Sequence, residues 1–225
     1  MDHNKYQDIK HLIWQEEKKH LMKKVAFDLI INDALRIGDF MLFSGKRSPY
    51  YVDLRQTISN PATMDLIAGC LARIIANEVG SDQFDKIMGV PTAGVPFTAL
   101  VCHKLSIPML YYRKEKKEHG VGKKIEGKMD ADDRILMIDD LITTGKSVIQ
   151  AAEAAREQGG QITDLVVLLD REQGGREFLL SNNIRPHVLF NVSDAFQWLN
   201  EVKLLSDDHY QVIMDYIKAE KESGR

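Results

Sequence analysis

Hydrophobic and polar residues are distributed along the chain in blocks that predict helices and strands in alternation. Apolar residues at helical spacing predict one or two amphipathic helices over residues 6–37, ended by Gly38. Short uninterrupted apolar runs further along predict buried strands at residues 86–90, 108–113, 135–138, 164–170 and 186–192. The helices between them are predicted at residues 61–79, 95–105, 148–158 and 175–182, with a helical tail from residue 193.

The order of these elements predicts the fold class. Strands that alternate with helices indicate an α/β protein with a mostly parallel sheet, right-handed crossovers and flanking helices. Two short strands at residues 40–43 and 50–54 predict a small hairpin ahead of that sheet. At 225 residues the chain suits a single domain. We divide it into N-terminal helices (1–37), the hairpin (38–58), the α/β core (59–192) and C-terminal helices (193–225).

Composition and charge exclude several classes of protein. A net charge of −3 gives no electrostatic case for binding nucleic acid or an anionic membrane. Cys70 and Cys102 stand alone, which argues against a disulfide framework or a zinc site. The polar N-terminus lacks the apolar region of a signal peptide, and no apolar run is long enough to span a bilayer. We therefore expect a soluble cytoplasmic protein without nucleic-acid or membrane partners.

Candidate chemistry is concentrated in residues 134–148, which read RILMIDDLITTGKSV. The apolar run 135–138 predicts a buried strand, and Asp139 and Asp140 directly follow it as an acidic turn. The loop 143–147 then leads into a helix. At the carboxyl end of a strand, loop N–H groups and the helix dipole attract a phosphate. With two carboxylates to accept hydrogen bonds from hydroxyl groups, this arrangement predicts a sugar-phosphate site.

Two other interpretations of the same stretch are weaker. The sequence Gly145-Lys146-Ser147 imitates a nucleotide P-loop, but that motif requires glycine where Asp140 stands, and a carboxylate there would repel a triphosphate. A plain helix cap at Thr144 or Ser147 would explain the hydroxyl groups. It would not explain two adjacent acids directly after an apolar strand.

As a whole, this stretch resembles the ribose-phosphate binding signature of the type I phosphoribosyltransferases. The resemblance implies their fold, with the N-terminal hairpin as a hood subdomain. It also implies that Asp139 and Asp140 hold the ribose hydroxyls of phosphoribosyl pyrophosphate, and that Asp140 has a catalytic role in stabilising the positive sugar. The implied contacts to this substrate here are Asp139, Asp140, Leu141, Ile142, Thr143, Thr144, Gly145, Lys146 and Ser147, of which residues 143–147 cradle the 5-phosphate.

A second stretch, residues 114–127, is rich in lysine and glycine and predicts a long mobile loop. Such a charge run is an ordinary solvated loop in many proteins, yet beside a sugar-phosphate site it could also close over a polyanion. The RKEKKEHG segment, which begins at Arg113, resembles the catalytic loop of orotate phosphoribosyltransferases. The resemblance implies that Arg113, Lys114, Lys117 and His119 contact the pyrophosphate, and that Lys117 is catalytic because it neutralises the leaving group.

Two further motifs resemble the orotate enzymes. Residues 38–55 match the pattern F-x-L-x-SG-x-x-SP-x-Y of their base-binding hairpin, and DREQGG at 170–175 matches the segment whose arginine binds the orotate carboxylate. The resemblance implies that Tyr51, Val52, Thr143 and Arg171 contact orotate. The alternatives are hairpin aromatics packed on the core and a salt bridge from Arg171 to a nearby acid.

The chain departs from many bacterial members at two places. Phe43 stands where those members have lysine, and Thr92-Ala93 stand where they have Tyr-Lys. Fewer cations therefore face the phosphates. The neighbouring cations that could compensate are Lys46, Arg47 or Lys146.

The resemblance implies a complete activity. Orotate and phosphoribosyl pyrophosphate would give orotidine 5′-monophosphate and pyrophosphate, a step of pyrimidine biosynthesis. Mg²⁺ would bind the pyrophosphate and water, without a protein metal ligand, and the enzyme would be a homodimer with shared active sites. Two alternatives are a transferase for hypoxanthine or uracil, which lack a carboxylate, and a regulator that senses phosphoribosyl pyrophosphate. The regulator would need a nucleic-acid-binding surface, and no basic module is visible.

Overall fold

The structure, a computed structural model, describes residues 3–42, 45–114 and 124–223. It consists of a six-stranded sheet flanked by helices and a separate two-stranded hairpin. The helices are α1 (His3–Ile31), α2 (Pro61–Ile74), α3 (Gly94–Leu105), α4 (Lys146–Arg156), α5 (Gly175–Ser181), α6 (Val192–Glu201) and α7 (Asp207–Ser223). The strands are β1 (Leu35–Met41), β2 (Arg47–Val52), β3 (Lys86–Gly89), β4 (Met109–Tyr112), β5 (Ile125–Glu126), β6 (Ile135–Ile142), β7 (Asp164–Asp170) and β8 (Arg185–Asn191). A 3-10 turn (Leu54–Ser59) precedes α2, and a π-helical turn (Ile75–Val79) extends it.

The strand order explains where a ligand can bind. In the large sheet the order is β5-β4-β3-β6-β7-β8, and all neighbours are parallel except β4 and β5. The chain thus moves outward from β3 in one direction, returns to β6, and moves outward in the other. Ligands of open parallel sheets bind at such a reversal, beside the carboxyl ends of the strands. The predicted α/β class with a mostly parallel, helix-flanked sheet is confirmed.

Two apolar layers hold the sheet between the helices. Side chains on successive strand residues point to opposite faces, so Leu136 and Ile138 join one layer while Met137 joins the other. The first layer also contains buried residues of α1, α2, α3, α6, α7 and the hairpin, and the second contains those of α4 and α5. Among the described residues, none of the helices combines the length and apolar character needed to cross a bilayer.

The N-terminal boundary predicted from the sequence was wrong. A single helix ends at Ile31, and β1 already begins at Leu35, so Gly38 lies inside a strand instead of ending a helix. Strand β1 pairs with β2, from Leu35 opposite Val52 onward. Local spacing favoured a helix here because it does not show this pairing, which supplies the hydrogen bonds of an extended chain. The hairpin therefore spans residues 35–52 instead of 38–58, and the C-terminal helices begin at residue 192.

The predicted acidic turn was also wrong. Strand β6 continues through Asp139 and Asp140 to Ile142, and its last residues pair with β7 up to Asp170. Helix α4 begins at Lys146 after Gly145, without a capping hydrogen bond from a side chain, so the alternative of a plain helix cap at Thr144 or Ser147 is not supported. Acids are rare in strands, and pairing with β7 supplies backbone hydrogen bonds that local sequence does not show.

Candidate active site

A cavity of about 360 Å³ opens at the reversal point of the sheet, beside the ends of β3 and β6. It is lined by most of the residues that sequence analysis predicted. These are Val52, Lys114, Asp139, Asp140, Leu141, Thr143, Thr144, Gly145, Lys146, Ser147 and Arg171. The hairpin, the segment after β4, strand β6 and the segment after β7 are far apart in the sequence, so the fold brings the separate motifs to one site.

The loop after β6 is held in shape by helix α5. Gly145 has φ = 75°, a conformation that side-chain-bearing residues rarely adopt. At Gly175, the first residue of α5, an added Cβ would lie 2.5 Å from the Thr143 carbonyl oxygen. The absence of a side chain there lets α5 pack directly against the loop. The loop leads into the N-terminus of α4, where unpaired N–H groups and the helix dipole favour an anion.

The two acids near the end of β6 are adjacent, Asp139 buried and Asp140 partly buried. Asp139 is only 8% exposed, and its Oδ1 accepts a hydrogen bond of 2.9 Å from the Asp140 backbone N–H. Burial and the Asp140 charge raise the pKa of Asp139 well above its usual range, while the Lys114 charge opposes the shift. Burial also raises the pKa of Asp140, although hydrogen bonds to its carboxylate work against this. Cationic or hydroxyl-bearing ligands would stabilise the ionised form of this pair.

Arg171 begins the loop after β7 on another wall of the cavity. Its backbone N–H donates to the Ile142 carbonyl at 2.9 Å, which ties this loop to the end of β6. Its guanidinium carbon lies 5.6 Å from the centre of the Tyr50 ring. The Nε and Nη2 atoms are buried and have no hydrogen-bond partner among the described residues. The salt bridge considered as an alternative role for Arg171 is absent from the described residues, and its donors remain available for an anionic ligand.

Several predicted residues do not line the cavity. Ile142 is 1% exposed and packs in the core, and Arg113 forms an ion pair with Glu126 at 2.9 Å. The Tyr51 ring lies on the opposite face of β2 from Val52, where the Arg36 guanidinium carbon is 5.0 Å from its centre. The contacts predicted for Lys117 and His119 lie outside the described residues, as does Phe43.

The three cations that could replace the missing lysines differ in whether they line the cavity. Lys46 forms an ion pair with Glu220 of α7 at 2.8 Å, and Arg47 pairs with Asp39 across the hairpin. Neither lines the cavity, whereas Lys146 does. Thr92 and Ala93, named from the sequence only as departures from many bacterial members, also line the cavity. Sequence analysis missed four further lining residues: Asp53, Arg55, Pro91 and Val148. For Asp53 and Arg55 the available signal was their position at the end of the 38–55 stretch, just after the pattern that ends at Tyr51.

Comparisons with known proteins agree with this geometry. The family model for the phosphoribosyl transferase domain matches residues 56–192. The orotate phosphoribosyltransferase of Sulfolobus acidocaldarius is 37% identical over 189 residues, which cover 84% of this chain and 93% of that protein. The uridine 5′-monophosphate synthase of Bos taurus is 37% identical over 82% of this chain, which spans only 38% of that longer protein. The crystal structure of orotate phosphoribosyltransferase from Aeropyrum pernix matches with a TM-score of 0.68 at 29% identity, covering 79% of this chain and 98% of that one.

The fold, the cavity and the matched domain together define a phosphoribosyltransferase. The similarity to the Sulfolobus protein extends over most of both chains, so it includes the hairpin ahead of the matched domain. The chain belongs to the orotate phosphoribosyltransferase family.

Proposed function

We propose that this chain transfers the phosphoribosyl group of phosphoribosyl pyrophosphate to orotate, giving orotidine 5′-monophosphate and pyrophosphate in pyrimidine biosynthesis. The observation that carries the choice of base is Arg171, a cavity residue whose buried Nε and Nη2 lack a partner among the described residues. A buried, unpaired donor is costly, and a carboxylate can accept two parallel hydrogen bonds from one guanidinium. Orotate carries such a carboxylate, whereas uracil and hypoxanthine do not.

The rest of the cavity suits the sugar phosphate. The loop from Thr143 to Ser147 would hold the 5-phosphate with backbone N–H groups and hydroxyls at the start of α4. Asp139 and Asp140 would accept hydrogen bonds from the ribose hydroxyls. Ionised carboxylates would also stabilise the positive charge that develops on the sugar as the bond to pyrophosphate breaks.

The leaving pyrophosphate needs positive charge. Lys114 lines the cavity, and we propose that Lys117 and His119 join it on the pyrophosphate, with Lys117 neutralising the departing oxygen. Arg113 would reach this group only by leaving its ion pair with Glu126. Holding the ring nitrogen of orotate against the sugar carbon in one cavity would supply the remaining rate enhancement by positioning.

We further propose that the reaction requires Mg²⁺. Among the described residues, no three His, Cys, Asp or Glu side chains are grouped as metal ligands, so the pyrophosphate and water would provide most of its oxygen ligands. The carboxylates of Asp139 and Asp140 fit this arrangement as acceptors beside the substrate. When bound, the ion would neutralise part of the pyrophosphate charge. A cytoplasmic homodimer with shared sites completes the proposal.

The direct test is an ultraviolet assay of orotate loss with phosphoribosyl pyrophosphate, with and without Mg²⁺. Parallel reactions with uracil and hypoxanthine measure base choice. We expect consumption of orotate alone, and only with Mg²⁺ present. Consumption of another base in preference to orotate would contradict the assignment, and so would binding of phosphoribosyl pyrophosphate without transfer to any of the three bases.

A further inference from the structure

Arg55 is the cavity cation that the matched motifs leave without a role. Among the described residues, four cations line the cavity, and three of them already have proposed partners: Lys114 the pyrophosphate, Lys146 the 5-phosphate loop, and Arg171 the base. Arg55 lines the same cavity as Thr92 and Ala93, which carry no charge. It therefore adds a fourth positive charge to the described lining of the cavity.

The guanidinium of Arg55 is oriented by a carboxylate. Its Nε lies 2.6 Å from Asp53 Oδ1 and its Nη2 lies 3.0 Å from Asp53 Oδ2, a bidentate contact. A guanidinium has five N–H donors, and this contact uses one from each nitrogen, which leaves three that Asp53 does not occupy. The Arg55 side chain is 59% exposed, whereas that of Asp53 is 10% exposed. Asp53 thus orients the cation, and the Tyr51 side chain also lies close enough to Arg55 to help raise its pKa. The donors that these two partners do not use can bind an anion.

The backbone beneath this pair is also fixed. The Asp53 N–H donates to the Ala34 carbonyl at 2.8 Å, and Asp53 Oδ1 accepts the Arg55 backbone N–H at 3.1 Å. Leu54 between them is 1% exposed. Little movement is therefore available to the backbone of the turn, so the guanidinium would lose little freedom when it binds a ligand.

We propose that Arg55 binds the pyrophosphate group of the phosphoribosyl donor, with Asp53 as its positioning residue; this rests on the proposed function. The 5-phosphate already has the N–H groups at the start of α4, whereas Lys114 is the single described cavity cation proposed for the more highly charged pyrophosphate. Arg55 also lies close enough to Asp140 for its positive charge to lower the pKa of that acid. A cation at this place would face the pyrophosphate while the acid pair holds the ribose.

The test compares three ligands by calorimetry: phosphoribosyl pyrophosphate with Mg²⁺, pyrophosphate with Mg²⁺, and orotidine 5′-monophosphate, which has the 5-phosphate alone. We expect Arg55→Gln to weaken the first two on the order of tenfold, the effect of one charged hydrogen-bonding group, and to leave the third unchanged. The matched control is Arg47→Gln, because Arg47 also pairs with an aspartate on the hairpin but does not line the cavity. It should leave all three affinities unchanged.

Asp53→Asn tests the positioning role, since asparagine can still cap the turn. Alone, it should weaken pyrophosphate binding less than Arg55→Gln does, and it should add almost nothing to Arg55→Gln in the double variant. Arg55→Lys keeps the positive charge, so it should bind pyrophosphate more tightly than Arg55→Gln does but less tightly than the wild-type chain. If Arg55→Gln does not fold, Arg55→Lys is compared with the wild-type chain in its place.

The outcomes separate the two proposals. Equal weakening of orotidine 5′-monophosphate would overturn the assignment of Arg55 to pyrophosphate, and so would unchanged binding of all three ligands. Additive effects of the Asp53 and Arg55 changes would overturn the positioning role. If the wild-type chain binds the three ligands but does not convert orotate, the proposed function fails while the Arg55 comparison still stands on the binding data.

Discussion

The guanidinium carbon of Arg171 lies 5.6 Å from the centre of the Tyr50 ring, and neither the Tyr50 hydroxyl nor two of the guanidinium nitrogens has a hydrogen-bond partner among the described residues. Burial raises the pKa of Tyr50 to about 12, and the Arg171 charge works against that shift. Tyr50 is itself fixed between the rings of Phe196 and Tyr216, at centroid distances of 5.0 and 5.8 Å. The hairpin and the C-terminal helices thus position the Tyr50 ring beside Arg171. The Nε and Nη2 donors of Arg171 remain available for a ligand.

Removing the guanidinium should damage orotate binding selectively. We expect Arg171→Gln to raise KM for orotate on the order of ten- to a hundredfold, because one charged hydrogen-bonding partner contributes about 1.5–3 kcal/mol. KM for phosphoribosyl pyrophosphate should change little. Steady-state kinetics with each substrate varied in turn measure the two constants. Arg185→Gln, an exposed change at the opposite end of the sheet, is the control; equal rises in both constants would indicate a structural role for Arg171.

The buried acid Asp139 should cost stability at neutral pH. Its folded-state pKa is raised by burial and by the Asp140 charge, so its ionised form is disfavoured in the folded chain. Asp139→Asn should therefore increase the free energy of unfolding above that raised pKa. The gain should vanish as pH falls below about 3.8, the unfolded value, where both states are protonated. Activity should fall on the order of tenfold or more, through lost hydrogen bonds to the ribose.

Urea unfolding across this pH range, beside an activity assay, checks both parts. Asp8→Asn is the matched control, since Asp8 is an exposed aspartate of α1 outside the cavity. A stability loss with activity retained would make Asp139 a structural residue and contradict the prediction.

The sequence predicted the order of strands and helices well and their boundaries less well. The run Ile135–Ile138 identified β6 because local apolar residues suffice for a buried strand. Its continuation through Asp139 and Asp140 depends on pairing with β7, which no local pattern shows. Similarly, local spacing predicts a helix end at Gly38, because the strand that pairs with β1 lies beyond the next turn.

The candidate site was predictable where its residues fall in one contiguous motif. The loop from Thr143 to Ser147 was identified in that way, and so was Arg171. Asp53 and Arg55 enter the cavity only because the hairpin folds back over the sheet. Their pairing with each other is local, but their position beside Thr92 and Ala93 depends on contacts between distant segments.

A second pH-dependent element lies away from the cavity, at His187 in β8. His187 is 7% exposed; its Nδ1 is 3.3 Å from Glu78 and its Nε2 is 2.7 Å from Asp164. Glu78 also accepts hydrogen bonds from Trp14 and Lys18 of α1. Burial alone would lower the pKa of His187, but the hydrogen bonds to the two carboxylates outweigh it and raise the pKa. The network joins α1 to the sheet.

His187→Gln should therefore destabilise the chain in a pH-dependent way. Because the folded pKa is raised, the stabilising charge is fully present below the unfolded value of 6.5 and is lost as pH rises through the folded pKa. We expect a loss of about 1.5–3 kcal/mol near pH 6 that shrinks toward pH 9. Urea unfolding measures it, with His209→Gln in exposed α7 as the control. A difference that grows with pH would contradict the raised pKa.

The proposed homodimer shares its sites between subunits. Assayed at an orotate concentration near the wild-type KM, Lys117→Ala and Arg171→Ala should each be nearly inactive alone. If Lys117 acts in the neighbouring subunit, a mixed dimer has one site with both Arg171 and the partner's Lys117, and one site that lacks both. Random pairing makes about half of the dimers mixed, so about a quarter of all sites should be intact, by the symmetry of a two-fold assembly.

The measurement is orotate consumption after the two variants are unfolded, mixed in equal amounts and refolded together. Each variant refolded alone is the control, and two different affinity tags confirm that mixed dimers form. Recovery of about a quarter of wild-type activity would support Lys117 acting across the interface. If Lys117 serves its own subunit, every site keeps one lesion, because no subunit carries both intact residues. Mixed dimers without recovered activity would therefore contradict the shared site, whatever the fate of the Arg171 assignment.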